Sequence, residues 1–281
     1  MYLVFDIGGS KMRIARTSNF KKLEEIIILK TPNDFNEGIL EFCRASNKLS
    51  GGKKIKAIAG GIAGPLDKNY TKVINAPNLK SWNNKPFKAS LEKKLKTKVM
   101  LQNDTAMVAL GETHFGAGKL FRKNGIVAYV TVSTGVGGAR IVDGKIDRNI
   151  YGFEIGSQTI DADGTILPKY KSPGILEDYI SGKSVYKNTG KNPVLIKDDK
   201  FWSDMAKLLA YGLNNTIVHW SPSIVILGGS MMNKIGIPIS EVIRNVNSFL
   251  KIFPKKPKIV HAKLGDLGGL YGSMVYLEKI L

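Results

Sequence analysis

The chain has a single cysteine, Cys43, in 281 residues. A lone thiol excludes an internal disulfide and any zinc site built mainly from thiolates, and it fits a reducing compartment. Long apolar runs are missing too: none approaches the ~18–20 residues that span a bilayer. The first run, Met1 to Phe5, is cut short by Asp6 and has no basic flank, so it does not read as a secretory leader. Low-complexity tracts and long linkers are absent. The expectation is a soluble, cytoplasmic protein with no membrane partner. Acidic residues are scarce, 23 against 42 Lys and Arg, which leaves a formal charge of +19. Residues 1–115 hold 20 basic and 10 acidic side chains and residues 116–281 hold 22 and 13, so no basic arm stands out. The excess reads as a lysine-rich solvated surface and makes nucleic acid an unlikely partner.

What is present is enough apolar sequence, 43%, to fill a core, and length for about two domains. Tyr2 to Ile7 is a short apolar run that ends in Asp6-Ile-Gly-Gly-Ser-Lys11. Met12 to Thr17 and Leu23 to Leu29 follow as strand-like runs. A dinucleotide or P-loop unit would place a helix after the glycines; here a hairpin follows. Helices are expected over 36–49, from Pro86, and over 105–116, with strands at Ile55 to Ile62 and Val99 to Gln102. At Gly125 the order restarts: strand Ile126 to Val132, glycine turn Ser133-Thr-Gly-Val-Gly-Gly138, strand Ala139 to Val142, and a hairpin turn at Asp143-Gly144. Later elements are a helix over 200–220, a strand Ile224 to Leu227 running into Gly228-Gly229-Ser230, a helix 240–250, a strand 258–262 and a closing helix from about 266. The repeat predicts two similar α/β domains, 1–116 and 117–281, facing each other across a central cleft, with the last helix free to pack back on the first.

One glycine turn is weak evidence for a ligand. Two in equivalent places of a repeated unit point to nucleotide phosphates cradled by backbone N–H groups. Gly182-Lys-Ser184 imitates the end of a P-loop, but the glycine that motif requires falls on Glu177, so the match is rejected. Asn103-Asp104, read alone, is a helix cap. Glu177, read alone, is a solvated helix residue.

In order along the chain, several segments resemble the ROK sugar kinases of the actin-like ATPase superfamily. They are Asp6 to Lys11; Gly61-Ile-Ala-Gly-Pro-Leu-Asp67; Ala76-Pro-Asn-Leu79 with Trp82; and Asn103-Asp104 with Ala109-Leu-Gly-Glu112. Further along come Ser133 to Gly138, Glu154-Ile-Gly-Ser157, Gly174-Ile-Leu-Glu177 with Ser181-Gly182, and Ile224 to Ser230. The resemblance implies two actin-like (ribonuclease H-like) α/β domains and transfer of the ATP γ-phosphoryl to a hexose hydroxyl, with O6 of glucose expected first. It implies Asp104 as catalytic base, and Asn78, Asn103, Asp104, Glu154, Ser157 and Glu177 around the sugar. It implies Asp6, Gly8, Gly9, Ser10, Lys11, Thr134, Gly135, Val136, Gly137, Gly228 and Gly229 around the nucleotide, with Mg²⁺ near Asp6 through water. A homodimer is implied as well. N-acetylhexosamine or fructose as acceptor, polyphosphate as donor, and a non-catalytic sugar sensor are the alternatives. The ROK repressors carry a DNA-binding domain ahead of the first phosphate motif; with that motif beginning at Asp6, none is expected here.

The sequence departs from the family in two places. Ser157 stands where most members have a histidine that contacts sugar and often zinc, and residues 161–175 contain no cysteine, with Ile175 at one expected position. No zinc is therefore expected. Elemental analysis of the purified protein should find none in stoichiometric amount; one zinc per chain would overturn this reading.

Overall fold

The computed structural model describes residues 1–166, 173–233 and 236–281. By packing it divides into two compact units. The first comprises Met1–Gly116, Lys145–Gly152 and Asp266–Leu281, and the second Ala117–Gly144 and Phe153–Gly265. No helix among the described residues is long and apolar enough to cross a membrane.

The first unit opens with β1 (Tyr2–Ile7), β2 (Lys11–Thr17) and β3 (Glu25–Lys30), then α1 (Phe35–Ser50), β4 (Ile58–Ile62), α2 (Phe87–Leu95), β5 (Val99–Asn103) and α3 (Asp104–His114). Its sheet runs β3-β2-β1-β4-β5, with an antiparallel half (β1, β2, β3) and a parallel half (β1, β4, β5). Alternation along β1 explains how one strand serves two purposes. Leu3, Phe5 and Ile7 enter a core with Phe42, Trp82 and Phe87, whereas Val4 packs in a second cluster with Leu270 and Met274. Asp6 shares the face of Val4. The aromatic rings of the first core meet edge-on, Phe5 with Phe42 at 5.2 Å between centroids, a favoured arrangement. The helices are fixed by their caps: Asp34 accepts the Glu37 N–H at the start of α1, and Gly51, at φ 53°, ends it.

The second unit contains β6 (Ile126–Val132) and β7 (Val136–Val142); the two residues of β8 (Lys145–Ile146) group with the first. Then come β9 (Thr159–Asp161), β10 (Gly174–Ile175), α4 (Leu176–Ile180), α5 (Gly182–Thr189), α6 (Asp199–Trp220), β11 (Ile224–Gly228), α7 (Ser230–Asn233), α8 (Ile239–Phe249) and β12 (Lys258–His261). Within it the strands run β12-β11-β6-β7, again with an antiparallel hairpin beside parallel strands. The second glycine turn is tighter than expected. Val136 already pairs with Val132, so Gly137 and Gly138 are strand residues.

The last helix, α9 (Gly268–Ile280), belongs to the first unit and packs on α3. A Cβ on Gly272 would lie 1.7 Å from the Met107 carbonyl oxygen, and one on Gly111 2.3 Å from that of Gly268. The helices therefore touch backbone to backbone, and α9 fixes the position of the helix that carries Asp104. Replacing Gly272 by Ala should lower stability by about 3 kcal/mol, the cost of overpacking, although helix propensity alone favours Ala by about 1 kcal/mol. Urea denaturation checks the sign; a stabilised variant would refute the contact.

Candidate active site

In the first unit the chemistry gathers at the carboxyl ends of β1 and β5. Hairpin register places Arg13 of β2 opposite Asp6, and Arg13 Nη1 donates to Asp6 Oδ2 at 3.0 Å. The second guanidinium nitrogen lies 3.3 Å from Asp266, just ahead of α9, and the exposed Lys11 is 3.7 Å from the same carboxylate. Asp6 is only 8% exposed. Its carboxyl is pushed up to about 7, first by burial and then by the Asp104 carboxylate; Arg13 offsets only part of this.

Asp104 is the first residue of α3, and Asn103 caps the helix by accepting the Ala106 N–H at 3.1 Å. The cap reading thus applies to Asn103 and not to Asp104. The Asn103 amide also donates to the Gly64 carbonyl at 3.3 Å. One of its amide hydrogens remains for a ligand. The Asp104 carboxylate accepts from the Thr105 N–H at 2.7 Å and faces the Thr105 hydroxyl at 3.4 Å; neither contact uses Oδ2. Burial raises its proton affinity, and the Thr105 contacts lower it by less. β4 can pass this close only as glycine, since a Cβ on Gly61 would lie 2.8 Å from the Asp104 Cα.

The first glycine loop lies between β1 and β2. Thr31 ties down its carbonyls: the hydroxyl donates to Gly8 and the N–H to Ser10. The N–H groups of Gly9 and Ser10 donate to no described residue. Gly8 and Gly9 do not adopt positive φ. Glycine serves close approach instead, with the exposed Asn78 packed where a Cβ on Gly9 would sit, 2.6 Å from the Asn78 Cβ.

In the second unit the loop between β6 and β7 is tied in the same manner. Gly182 and Lys183, at the start of α5, donate their N–H groups to the carbonyls of Ser133 and Thr134 at 2.7 and 3.3 Å. The hydroxyls of Ser133 and Ser230 are 3.1 Å apart, which brings Gly228-Gly229-Ser230 to this loop. Gly229 needs its glycine, at φ 92°. Glu177 is not a solvated helix residue: its Oε2 accepts the Val136 N–H at 2.7 Å. The Val136 N–H therefore has a partner of its own in Glu177, and Gly137 pairs with Thr131 of β6, whereas the N–H groups of Thr134 and Gly135 donate to no described residue. Glu154 and Ser157 are exposed and flank Gly156, which packs on the Val136 carbonyl. Residues 161–175, where the family's cysteines would fall, lie partly outside the described residues. Among the described residues no group of three or more His, Cys, Asp or Glu is gathered to hold a metal.

Sequence reasoning missed Arg13, Asp266 and the engagement of Glu177. The first was accessible: in a hairpin turning at Gly8 to Ser10, residue 13 must face residue 6.

The ROK family profile matches residues 2–280. The chain belongs to the ROK family. An N-acetyl-D-glucosamine kinase of Vibrio parahaemolyticus is 27% identical over 97% of this chain and 98% of its own. The crystal structure of the ROK hexokinase of Thermus thermophilus superposes with a TM-score of 0.83 at 24% identity, over 99% of each chain. That of a ROK glucokinase from Streptomyces griseus, in complex with glucose and AMPPNP, gives 0.79 at 23%, over 98% of each. Both units of this ROK chain are actin-like α/β domains, as the resemblance implied.

Because the folded Asp6 binds its proton more tightly than the ordinary 3.8, this group's contribution to stability is complete below about 4 and is lost as pH rises through about 7. In metal-free protein, the stability difference between wild type and Asp6→Asn should therefore move against wild type over that interval. A pH-independent difference in denaturant midpoint would contradict the burial of this carboxyl.

Proposed function

We propose that the protein is an ATP-dependent sugar kinase that phosphorylates a hexose hydroxyl, with O6 of glucose as first acceptor. The carrying observation is Asp104: a half-buried carboxylate of raised proton affinity, fixed at a helix start, with no described residue donating to Oδ2. A base with proton affinity nearer neutrality removes a hydroxyl proton more effectively. The N–H groups of Gly9, Ser10, Thr134 and Gly135, which donate to no described residue, suit phosphoryl oxygens, because backbone donors stabilise anionic oxygen without reorganising. Gly228 and Gly229 are assigned to the nucleotide. Asn78, Glu154, Ser157 and the second oxygen of Glu177 are assigned to sugar hydroxyls, since carboxylates and amides accept several hydrogen bonds each.

The Asp6 carboxyl fits a magnesium ion. Its burial disfavours the charged form, a penalty that a cation relieves, and Arg13 bonds Oδ2 only, leaving Oδ1. One carboxylate plus substrate phosphates is an ordinary magnesium environment. When bound, the ion would neutralise charge on the phosphates. Arg13 orients Asp6, and Asp266 holds Arg13.

The second reading is an N-acetylhexosamine acceptor, favoured by the Vibrio relative that matches nearly the whole chain. A coupled assay with magnesium and ATP, run across glucose, N-acetylglucosamine, N-acetylmannosamine, mannose and fructose, separates the two. Asp104→Asn should lower kcat by about 10²–10⁴-fold, the usual worth of a positioned base, while sugar binding persists. No turnover on any sugar, or an undiminished variant, would overturn the proposal.

A further inference from the structure

The positive charge looks even along the chain, but the fold concentrates part of it. Residues 47–57 carry Lys48, Lys53, Lys54 and Lys56, residues 93–98 carry Lys93, Lys94, Lys96 and Lys98, and neither segment contains an acidic residue. The fold joins them: the Thr97 hydroxyl donates to the Ile55 carbonyl at 3.2 Å, and the Ile58 N–H to that of Lys98 at 3.0 Å. Between the segments is a cavity of about 420 Å³, lined by Asn47, Lys53, Lys54, Lys94, Lys96 and Thr97 among others. The segments lead into β4 and β5, whereas Asp6 and Asp104 lie where β1 and β5 finish. The cavity is thus separated from the candidate active site by the length of a five-residue strand, about 16 Å.

Helix dipoles explain only some of these lysines. Lys48, Lys93 and Lys94 fall in the last turns of α1 and α2, where a cation is favoured. Lys53 and Lys54 lie past the Gly51 cap, beyond the last turn in which that effect acts. Lys56 sits over the Tyr2 ring, 5.7 Å from its centroid. The neighbouring Glu92 accepts the Val99 N–H at 3.0 Å. No ion pair engages Lys53, Lys54, Lys94 or Lys96 among the described residues.

We propose that this cavity binds a small, multiply charged phosphate anion of the triphosphate class. Four lysines converging on one concavity supply the charge, and lysine binds phosphate as a point charge without demanding bidentate geometry. The volume suits one small ligand. No aromatic side chain lines it, so the stacking platform of a single-stranded nucleic acid is missing.

The test is the number of tripolyphosphate ions bound, by titration calorimetry without magnesium, to wild type and to the Lys53→Gln/Lys54→Gln/Lys94→Gln/Lys96→Gln variant. Wild type should bind one more equivalent than the variant, whatever the active site itself retains. Each exposed ion pair being worth a factor of a few, the four substitutions together should weaken binding at this site by about 10²-fold, enough to remove it from the titration, and salt should weaken it in wild type. An unaltered circular dichroism melt establishes that the variant folds; if it does not, the paired Lys53→Gln/Lys94→Gln variant takes its place. Equal stoichiometry in both proteins overturns the proposal. So does displacement of tripolyphosphate from this site by short DNA at lower concentration, which would mark a nucleic-acid surface.

Discussion

Two carboxylates are held where neither is comfortable. Asp6 and Asp104 come from the carboxyl ends of two strands of one sheet, and burial raises the proton affinity of both. The Asp104 charge raises that of Asp6 further. Such an arrangement persists only when the surrounding structure compels it. Arg13 holds Asp6 from the neighbouring strand, Asn103 pins the start of α3, and Gly61 lets β4 pass beside Asp104. The backbone contact of α9 with α3 completes the frame. Under the proposed function, Asp104 would serve as base and Asp6 would gain from a cation, as phosphoryl transfer requires.

Under the same proposal, the glycine loops would serve that end by a different route. In each, the carbonyls are tied down, by Thr31 in one and by the start of α5 in the other, while successive N–H groups donate to no described residue. Preorganised donors of this kind stabilise developing negative charge without a side-chain charge. Glu177 contributes by fixing Val136 at the loop's edge.

Much of this was legible in the sequence because it is local. The repeated strand, glycine turn and hairpin follow from apolar runs and turn residues, and the collinear motifs gave the family. Asp104 was marked by its neighbours, although its helix cap turned out to be Asn103. What escaped depends on pairing between distant segments. Glu177 looked solvated because Val136, its partner, is 41 residues away. The lysines around the cavity looked diffuse because they come from two segments some forty residues apart, joined only when β4 and β5 pair. Nor does a glycine turn in the sequence say which property of glycine is used: Gly9 serves close packing against Asn78, and Gly229 serves a positive φ.

The central claim is that the Asp104 carboxylate takes the proton of the attacking hydroxyl. The most direct measurement is a crystal structure with the best acceptor sugar and a non-hydrolysable ATP analogue. The account predicts one sugar hydroxyl within hydrogen-bond reach of Asp104 Oδ2, about 2.6–3.2 Å, with the terminal phosphate facing that hydroxyl. A bound sugar whose hydroxyls all lie beyond reach of Asp104, with the carboxylate still engaged only by Thr105, would contradict it.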